Sequence, residues 1–311
     1  MSGSNAVDLR VEIGSLSLPN PVIAASGTFG YGVEFASVTD VDALGAIVVK
    51  GLSLEAMAGA PPPRMCEVAG GMINAVGLQN IGVRAFVSQK LPLLRKFRAL
   101  IIANVFGQTK AEYVEVLRVL EDADGIAAYE LNVSCPNVEH GGMEFGSDET
   151  ALGGLVHSAR GVARRPLWVK LSPLVTDIAA MASVAERAGA DALTVANSYP
   201  AMSIDFSSRR SRIGRTSGGL SGPAIKPITL RLVYLAARGV KVPIIGAGGI
   251  QSAEDVFEYL SCGASAVQVG TLNFSSPRSC EQLIAGLKSA CVRHNIQRIR
   301  SIYKTFDGEC P

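Results

Sequence analysis

Eight times along the chain, a short apolar run rich in β-branched residues ends in a small or polar cluster and gives way to helical periodicity. The runs occupy residues 21–27, 46–51, 100–105, 127–134, 167–172, 192–198, 243–249 and 266–271. Near-continuous apolar runs of this length suit strands covered on both faces, because a strand with one wet face would alternate. The segments between them supply helices. In "DIAAMASVAERAGA", 177–190, Ile178, Met181, Val184 and Ala185 fall at helical spacing behind Asp177, and the pattern ends near Gly189. "SAEDVFEYLSCGA" opens on Ser252 as an N-cap, with Glu254 and Asp255 in the first turn, where the helix dipole favours negative charge.

At 311 residues, the usual allowance of about 150 per domain suggests two domains. The eightfold repeat outweighs that allowance. It predicts an α/β chain forming a single (β/α)8 TIM barrel over residues 1–311. Two connections exceed plain barrel turns: 52–99, with "GAPPPRM" and "GGMINAVGLQNIG" before a helix near 83–97, and 199–222, ending in "SGGLSGPAIKP". Both leave C-terminal strand ends, the face where barrels build their sites, so both are expected to be binding loops or lids over that face, with disorder as the alternative.

A chain that is 48% hydrophobic and 18% charged has a large core to bury. Lysines and arginines number 29 against 27 acids, and a net charge of +2 gives no electrostatic case for nucleic acid or an anionic membrane. No apolar run approaches the roughly 20 residues that span a bilayer, and "MSGSNAVDLR" lacks the pattern of a signal peptide. A cytoplasmic protein is expected. Cys66, Cys135, Cys262, Cys280, Cys291 and Cys310 show no metal-site spacing, so no metal is expected, and in a reducing compartment they are free thiols.

If the runs close into a barrel, their ends bring Ser26, Lys50, Asn104, Asn132, Lys170, Asn197, Gly248, Gly249, Gly270 and Thr271 to one mouth. Lysines and asparagines are costly in a barrel interior without partners, which calls for a polar, anionic ligand. "GAGG" after the seventh run and "GT" after the eighth stand where barrels bind phosphate on backbone N–H groups. A dinucleotide fold does not account for "GAGG", because Gln251 stands where its third glycine belongs. Lys50 and Lys170 each follow valine in an apolar run. A flavin ring, which gathers negative charge on its carbonyl side when reduced, would satisfy them, and a phosphate would do so equally.

"ELNVSCPNVEHGG" sets Cys135 in a loop at this mouth, between Asn132 and Asn137 and before Pro136. The other five cysteines read as small buried hydrophobes. An ordinary thiol ionises near pH 8.5 and can accept a proton once its site is tuned. A nucleophilic thiol would need a partner base. His157 and His294 fall in helical stretches, and His140 reads as a loop residue rather than half of a dyad.

The stretches "ELNVSCPN", "NAVGLQNIG", "VKLSP", "GGLSGPAIKP" and "IIGAGGI" resemble the dihydroorotate dehydrogenases of pyrimidine (UMP) biosynthesis, over about residues 9–295. A cysteine at 135 and the forms "NPVIAASGTFGYG" and "GGLSGPAIKPI" are most similar to class 1B catalytic subunits. The resemblance implies one FMN per chain and oxidation of dihydroorotate to orotate. It also implies a partner subunit, carrying FAD and a 2Fe-2S cluster, that passes electrons to NAD. A homodimer is expected, or a heterotetramer with that partner.

By the same resemblance, Cys135 is the general base. Substrate falls to Lys50, Asn74, Ala75, Val76, Gly77, Leu78, Asn132, Asn137, Asn197 and Ser198. FMN falls to Ser26, Lys50, Gly51, Asn104, Asn132, Lys170, Ala196, Gly222, Gly248, Gly249, Gly270 and Thr271. The chain departs from class 1B in "VANS", where an isoleucine and a threonine are usual around the asparagine, although a hydroxyl remains. The tail 296–311 matches nothing in the pattern. Three alternatives stay open: a class 1A-like enzyme with another acceptor, a related FMN barrel acting on dihydropyrimidines, and a non-catalytic phosphate-binding barrel.

Overall fold

A computed structural model describes residues 7–133 and 145–307. Each of the eight apolar runs holds or overlaps one strand: β1 (Val22–Ala24), β2 (Ala46–Val48), β3 (Leu100–Val105), β4 (Ala128–Asn132), β5 (Leu167–Lys170), β6 (Ala192–Val195), β7 (Ile244–Gly246) and β8 (Ala264–Val269). Every strand pairs in parallel with its sequence neighbour, and β8 pairs with β1 through Val267 and Val22, so the sheet closes into a barrel. The runs are continuously apolar because both faces are covered: every residue of β1, β2, β5 and β6 is buried.

The helices begin where the sequence places them. Asp177 accepts from the N–H groups of Ala179 and Ala180 at 2.8 and 3.1 Å and starts Ile178–Arg187. Ser252 and Asp255 form a capping box at the head of Ala253–Ser261, with Asp255 N–H donating to Ser252 Oγ at 3.2 Å and Ser252 N–H to Asp255 Oδ2 at 2.9 Å. The helix expected near 83–97 runs from Val83 to Leu94, with a π-turn over Phe86–Lys90. One expectation needs correction. No regular helix follows β1, and the connection to β2 carries only 3-10 turns at Val33–Phe35 and Val41–Ala43. Asp40 and Asp42 cap and tie this link, Asp42 accepting from the Arg98 N–H at 2.6 Å.

The two long connections are neither disordered nor independent lids. Met65–Val68 and Gly71–Asn74 from the first join Gly218–Ser221 and Tyr199–Ala201 from the second in one antiparallel sheet. The seam pairs Asn74 with Gly219, Ile73 with Leu220 and Met72 with Ser221. Small residues set its spacing, since a Cβ on Gly71 would strike the Ser221 carbonyl oxygen.

Residues 296–307 of the tail, unmatched by any motif, fold back on the barrel. Asp8 bridges to Arg298, Ile299 and Ile302 are buried, and Lys304 donates from Nζ to Ala237 O at 2.9 Å, near the C-terminus of the helix Lys226–Gly239, where a cation offsets the dipole. No helix among the described residues is long and apolar enough to cross a membrane.

Gly71→Ala is expected to open the seam between the two loops without unfolding the barrel. Limited proteolysis should cut within 199–222 several-fold faster, because local opening governs access to a loop. An unchanged cutting rate would show that the seam does not hold the loop.

Candidate active site

Barrel closure and the loop sheet together enclose a cavity of about 1420 Å³. The strand ends line it with Ser26 after β1, Lys50 and Gly51 after β2, Asn104 on β3, Asn132 on β4 and Lys170 on β5. Ala196, Asn197 and Ser198 follow β6, Gly248 and Gly249 follow β7, and Gly270 and Thr271 follow β8. The loops add Asn74, Ala75, Val76, Gly77, Leu78 and Gly222. Every sequence-predicted site residue within the described residues therefore faces one space. Cys135 and Asn137 lie outside the described residues; the chain on either side of them, at Val133 and Gly146, comes together beside Ser172, which lines the same cavity.

The floor of the cavity is polar and densely bonded. Asn104, fully buried, donates from Nδ2 to Glu130 Oε1 at 2.8 Å. Thr194 Oγ1 donates to Glu130 Oε2 at 2.7 Å, and Gln268 Nε2 donates to the same oxygen. Lys170, only 7% exposed, reaches Gln268 Oε1 at 3.4 Å. Its burial rules out a surface lysine. One acceptor is left over: Asn104 Oδ1 has no partner among the described residues. An orphaned buried acceptor costs about 1–3 kcal/mol, so this atom calls for a donor from a ligand.

Lys50 is half-buried, and among the described residues its ammonium has no hydrogen bond or ion pair. Burial, with the Arg64 cation adding to it against a weaker pull from Glu34, lowers its pKa below the ordinary lysine value. Arg64 itself is committed to the loop, donating to Ala60 O at 2.6 Å, Ala58 O at 3.0 Å and Gln79 Oε1 at 2.7 Å. It thereby shapes the turn that presents Val76, Gly77 and Leu78, where Gly77 and Leu78 take φ of 73° and 57°. Asn74 spans the loop seam, donating to Gly219 O at 3.2 Å. Asn197 Nδ2 lies 3.4 Å from Asn132 Oδ1, and Ser198 N–H donates to Asn197 Oδ1 at 2.8 Å.

Beyond the floor, Gly222, Gly248 and Gly249 form a cradle of bare backbone, because the chain packed behind them leaves no room for a side chain. Gly222 and Gly249 take φ of 105° and 69°, a Cβ on Gly249 would lie 2.7 Å from Lys226 Cβ, and one on Gly248 would lie 2.7 Å from Thr229 Oγ1. Tyr259 fixes the turn by donating to Gly248 O at 2.6 Å, and Thr271 and Ser221 hydroxyls meet at 2.8 Å. Of the other described cysteines, Cys262, Cys280 and Cys291 pack into or against the core, whereas Cys66, expected to be buried, is half-buried on the loop sheet. Cys280 is buried, its thiol pushed up to about 12 by desolvation, and Cys262 and Cys291 are raised for the same reason. No cluster among the described residues could hold a metal ion.

A family model described as dihydroorotate dehydrogenase matches residues 8–291. The catalytic subunit of dihydroorotate dehydrogenase B (NAD(+)) from Thermodesulfovibrio yellowstonii is 49% identical over 298 residues, covering 96% of this chain and 98% of that one. The chain belongs to the dihydroorotate dehydrogenase family. A second dihydroorotate dehydrogenase relative, from Solibacter usitatus, bears the provisional name dihydroorotate dehydrogenase A (fumarate) and is 54% identical over 298 residues, 96% of this chain and 98% of that one. At the level of fold, the crystal structure of the Eimeria tenella enzyme in complex with ferulenol superposes with a TM-score of 0.79 at 22% identity, covering 96% of this chain and 88% of that one.

FMN, the cofactor that dihydroorotate dehydrogenase membership implies, fits what the residues offer. The pyrimidine edge of a flavin carries one N–H between two carbonyls. The floor presents an obligate acceptor, Asn104 Oδ1, with the cations Lys170 and Lys50, and the glycine cradle suits a phosphate. Sequence reasoning missed Glu130, Thr194 and Gln268. Their signal was present as single polar residues inside "AYELN", "ALTV" and "AVQV", but only barrel closure brings β4, β6 and β8 within reach of one another.

Lys50→Met should stabilise the ligand-free protein while impairing the site, because it removes a desolvated charge that has no partner among the described residues. A lowered folded-state pKa means that the charge opposes folding in full below that pKa, and that the penalty fades as pH rises from it to the ordinary lysine value. The gain in unfolding midpoint should therefore be full at neutral pH and shrink toward high pH. Binding of an anionic pyrimidine carboxylate should weaken about ten- to hundredfold, the worth of a charged hydrogen bond. A variant less stable than wild type at neutral pH would contradict the electrostatic part.

Proposed function

We propose that the chain oxidises dihydroorotate to orotate in pyrimidine biosynthesis, with FMN bound in the barrel cavity. The observation that carries this is the Asn104 acceptor and the Lys50 ammonium, both without a partner among the described residues, with the buried Lys170, in a cavity lined by every described residue that the family motifs assign to ligands. The whole of residues 1–311 acts as one FMN-binding unit.

In the reaction a carbon 5 proton and a carbon 6 hydride leave and a ring double bond forms. Bound FMN supplies the acceptor for the hydride. The rest falls to the protein. Lys50 holds the substrate carboxylate, with Asn74, Asn132, Asn137, Asn197 and Ser198 orienting the ring and the backbone of Ala75, Val76, Gly77 and Leu78 closing over it. The loop sheet keeps water from the reacting carbons. Cys135 Sγ, as thiolate, takes the carbon 5 proton and becomes a thiol. Ser26, Gly51, Asn104, Lys170, Ala196, Gly222, Gly248, Gly249, Gly270 and Thr271 hold the cofactor, with Lys50 and Asn132 shared.

Electrons pass on to NAD through a partner subunit that carries FAD and a 2Fe-2S cluster, in a homodimer or in a heterotetramer with that partner, in the cytoplasm. The NAD(+) catalytic-subunit names of relatives at 49% identity support this acceptor. The 54% identical relative named for fumarate supports a second reading, in which the chain works without the partner. Turnover assays of the purified chain with dihydroorotate separate them. Fumarate reduction by the chain alone favours the second, and NAD reduction only on adding the partner favours the first.

Anaerobic mixing of the purified protein with dihydroorotate should bleach the flavin, and a flavin that stays oxidised would exclude this substrate. Cys135→Ala should keep FMN but slow bleaching by about 10²–10⁴-fold, the usual worth of a positioned base. Bleaching at the wild-type rate would remove Cys135 from that role. The wild-type rate should rise with pH and level off above the thiol pKa, near 8.5 for an ordinary cysteine, since the deprotonated form is the base.

A further inference from the structure

Glu130 is fully buried and does not line the cavity, yet Asn104, Thr194 and Gln268 all direct donors at its two oxygens. A carboxylate only accepts, whereas a primary amide both donates and accepts and can turn end for end within nearly the same volume. Glu130 therefore decides which end of each amide faces it. Asn104 must turn Nδ2 toward Oε1, and that leaves Oδ1 buried, unpartnered and on the cavity wall. Gln268 must turn Nε2 toward Glu130 and toward Thr194 Oγ1 at 3.2 Å, and that leaves Oε1 to accept from Lys170 Nζ.

We infer that Glu130 is a positioning residue for the cofactor: through two oriented amides it fixes an acceptor at Asn104 for the flavin N–H and anchors the Lys170 ammonium. This rests on FMN being the ligand of the cavity. The carboxylate has a second effect. Its buried negative charge opposes the anionic reduced flavin and partly offsets the two lysines, so it holds the flavin potential below the value that the lysines alone would set.

Glu130→Gln keeps the shape of the side chain, removes the charge and adds a donor, so Asn104 and Gln268 are free to turn. The probes are FMN and N3-methyl FMN, which lacks the pyrimidine N–H. The readouts are the two dissociation constants and the midpoint potential of the bound FMN. Wild type should prefer FMN over its N3-methyl form by about tenfold or more, because methylation leaves a buried acceptor unpaired. Glu130→Gln should shrink that preference toward unity and raise the potential. A residue that only supports the fold would lower the melting temperature and move neither. A variant with unchanged preference and unchanged potential overturns the inference alone, while a wild-type chain that takes up no FMN overturns it together with the cofactor assignment. Should Glu130→Gln fail to fold, Gln268→Leu cuts the Lys170 anchor and leaves Asn104 turned as it is. It should shift the potential and keep the preference, and an unchanged potential there also overturns the inference.

Discussion

Closure of the parallel ladder, β8 onto β1, is the constraint from which the rest follows. A closed sheet has no edge to protect, and parallel strands deliver all eight C-terminal ends to one rim. Each strand can then be apolar along its length and still contribute one polar residue where it ends. The ligand cavity is thus assembled from residues as distant in sequence as Ala25, after β1, and Phe274, after β8.

Burial is used in two opposite ways around that cavity. Glu130 is over-provided with donors, so it is settled in the ligand-free protein and fixes its neighbours. Lys50 has no partner among the described residues and keeps a lowered pKa, so it is settled only by an incoming anion. A rigid floor and an unsatisfied wall belong together, because the orphaned charge can select a ligand only if its surroundings do not rearrange to neutralise it. Arg64 serves the same end from the loop side: three hydrogen bonds hold its guanidinium on the turn that carries Val76 and Leu78, so its positive charge reaches Lys50 without giving it a partner.

Much of this was legible in the sequence because the signals are local. The strand runs, the Asp177 and Ser252 caps and the strand-end lysines and asparagines each depend on a few adjacent residues. The motifs added Asn74 and Gly222 from the loops, which no periodicity would single out. What escaped depends on contacts between distant segments. The seam of Gly71–Asn74 with Gly218–Ser221 joins loops some 145 positions apart, and the Glu130 cluster joins five strands. The missing helix after β1 escaped for a different reason: Asp42 ties the connection down through the backbone of Arg98, a bond that leaves no mark in periodicity.

The physical division of the site also explains how relatives so alike can carry names with different acceptors. Holding a flavin and removing a proton and a hydride from a ring are tasks for the floor, the cradle and the loop sheet, all of which face inward. An NAD-linked route needs a part of the outer surface to meet a partner, whereas a small acid such as fumarate needs only to reach the flavin itself, and neither route places a new demand on Asn104, Glu130 or Lys170. Buried residues answer to one another and change together or not at all. Surface residues lack that coupling, so a face that meets a partner can be gained or lost by surface substitutions that leave the chemistry of the cavity intact.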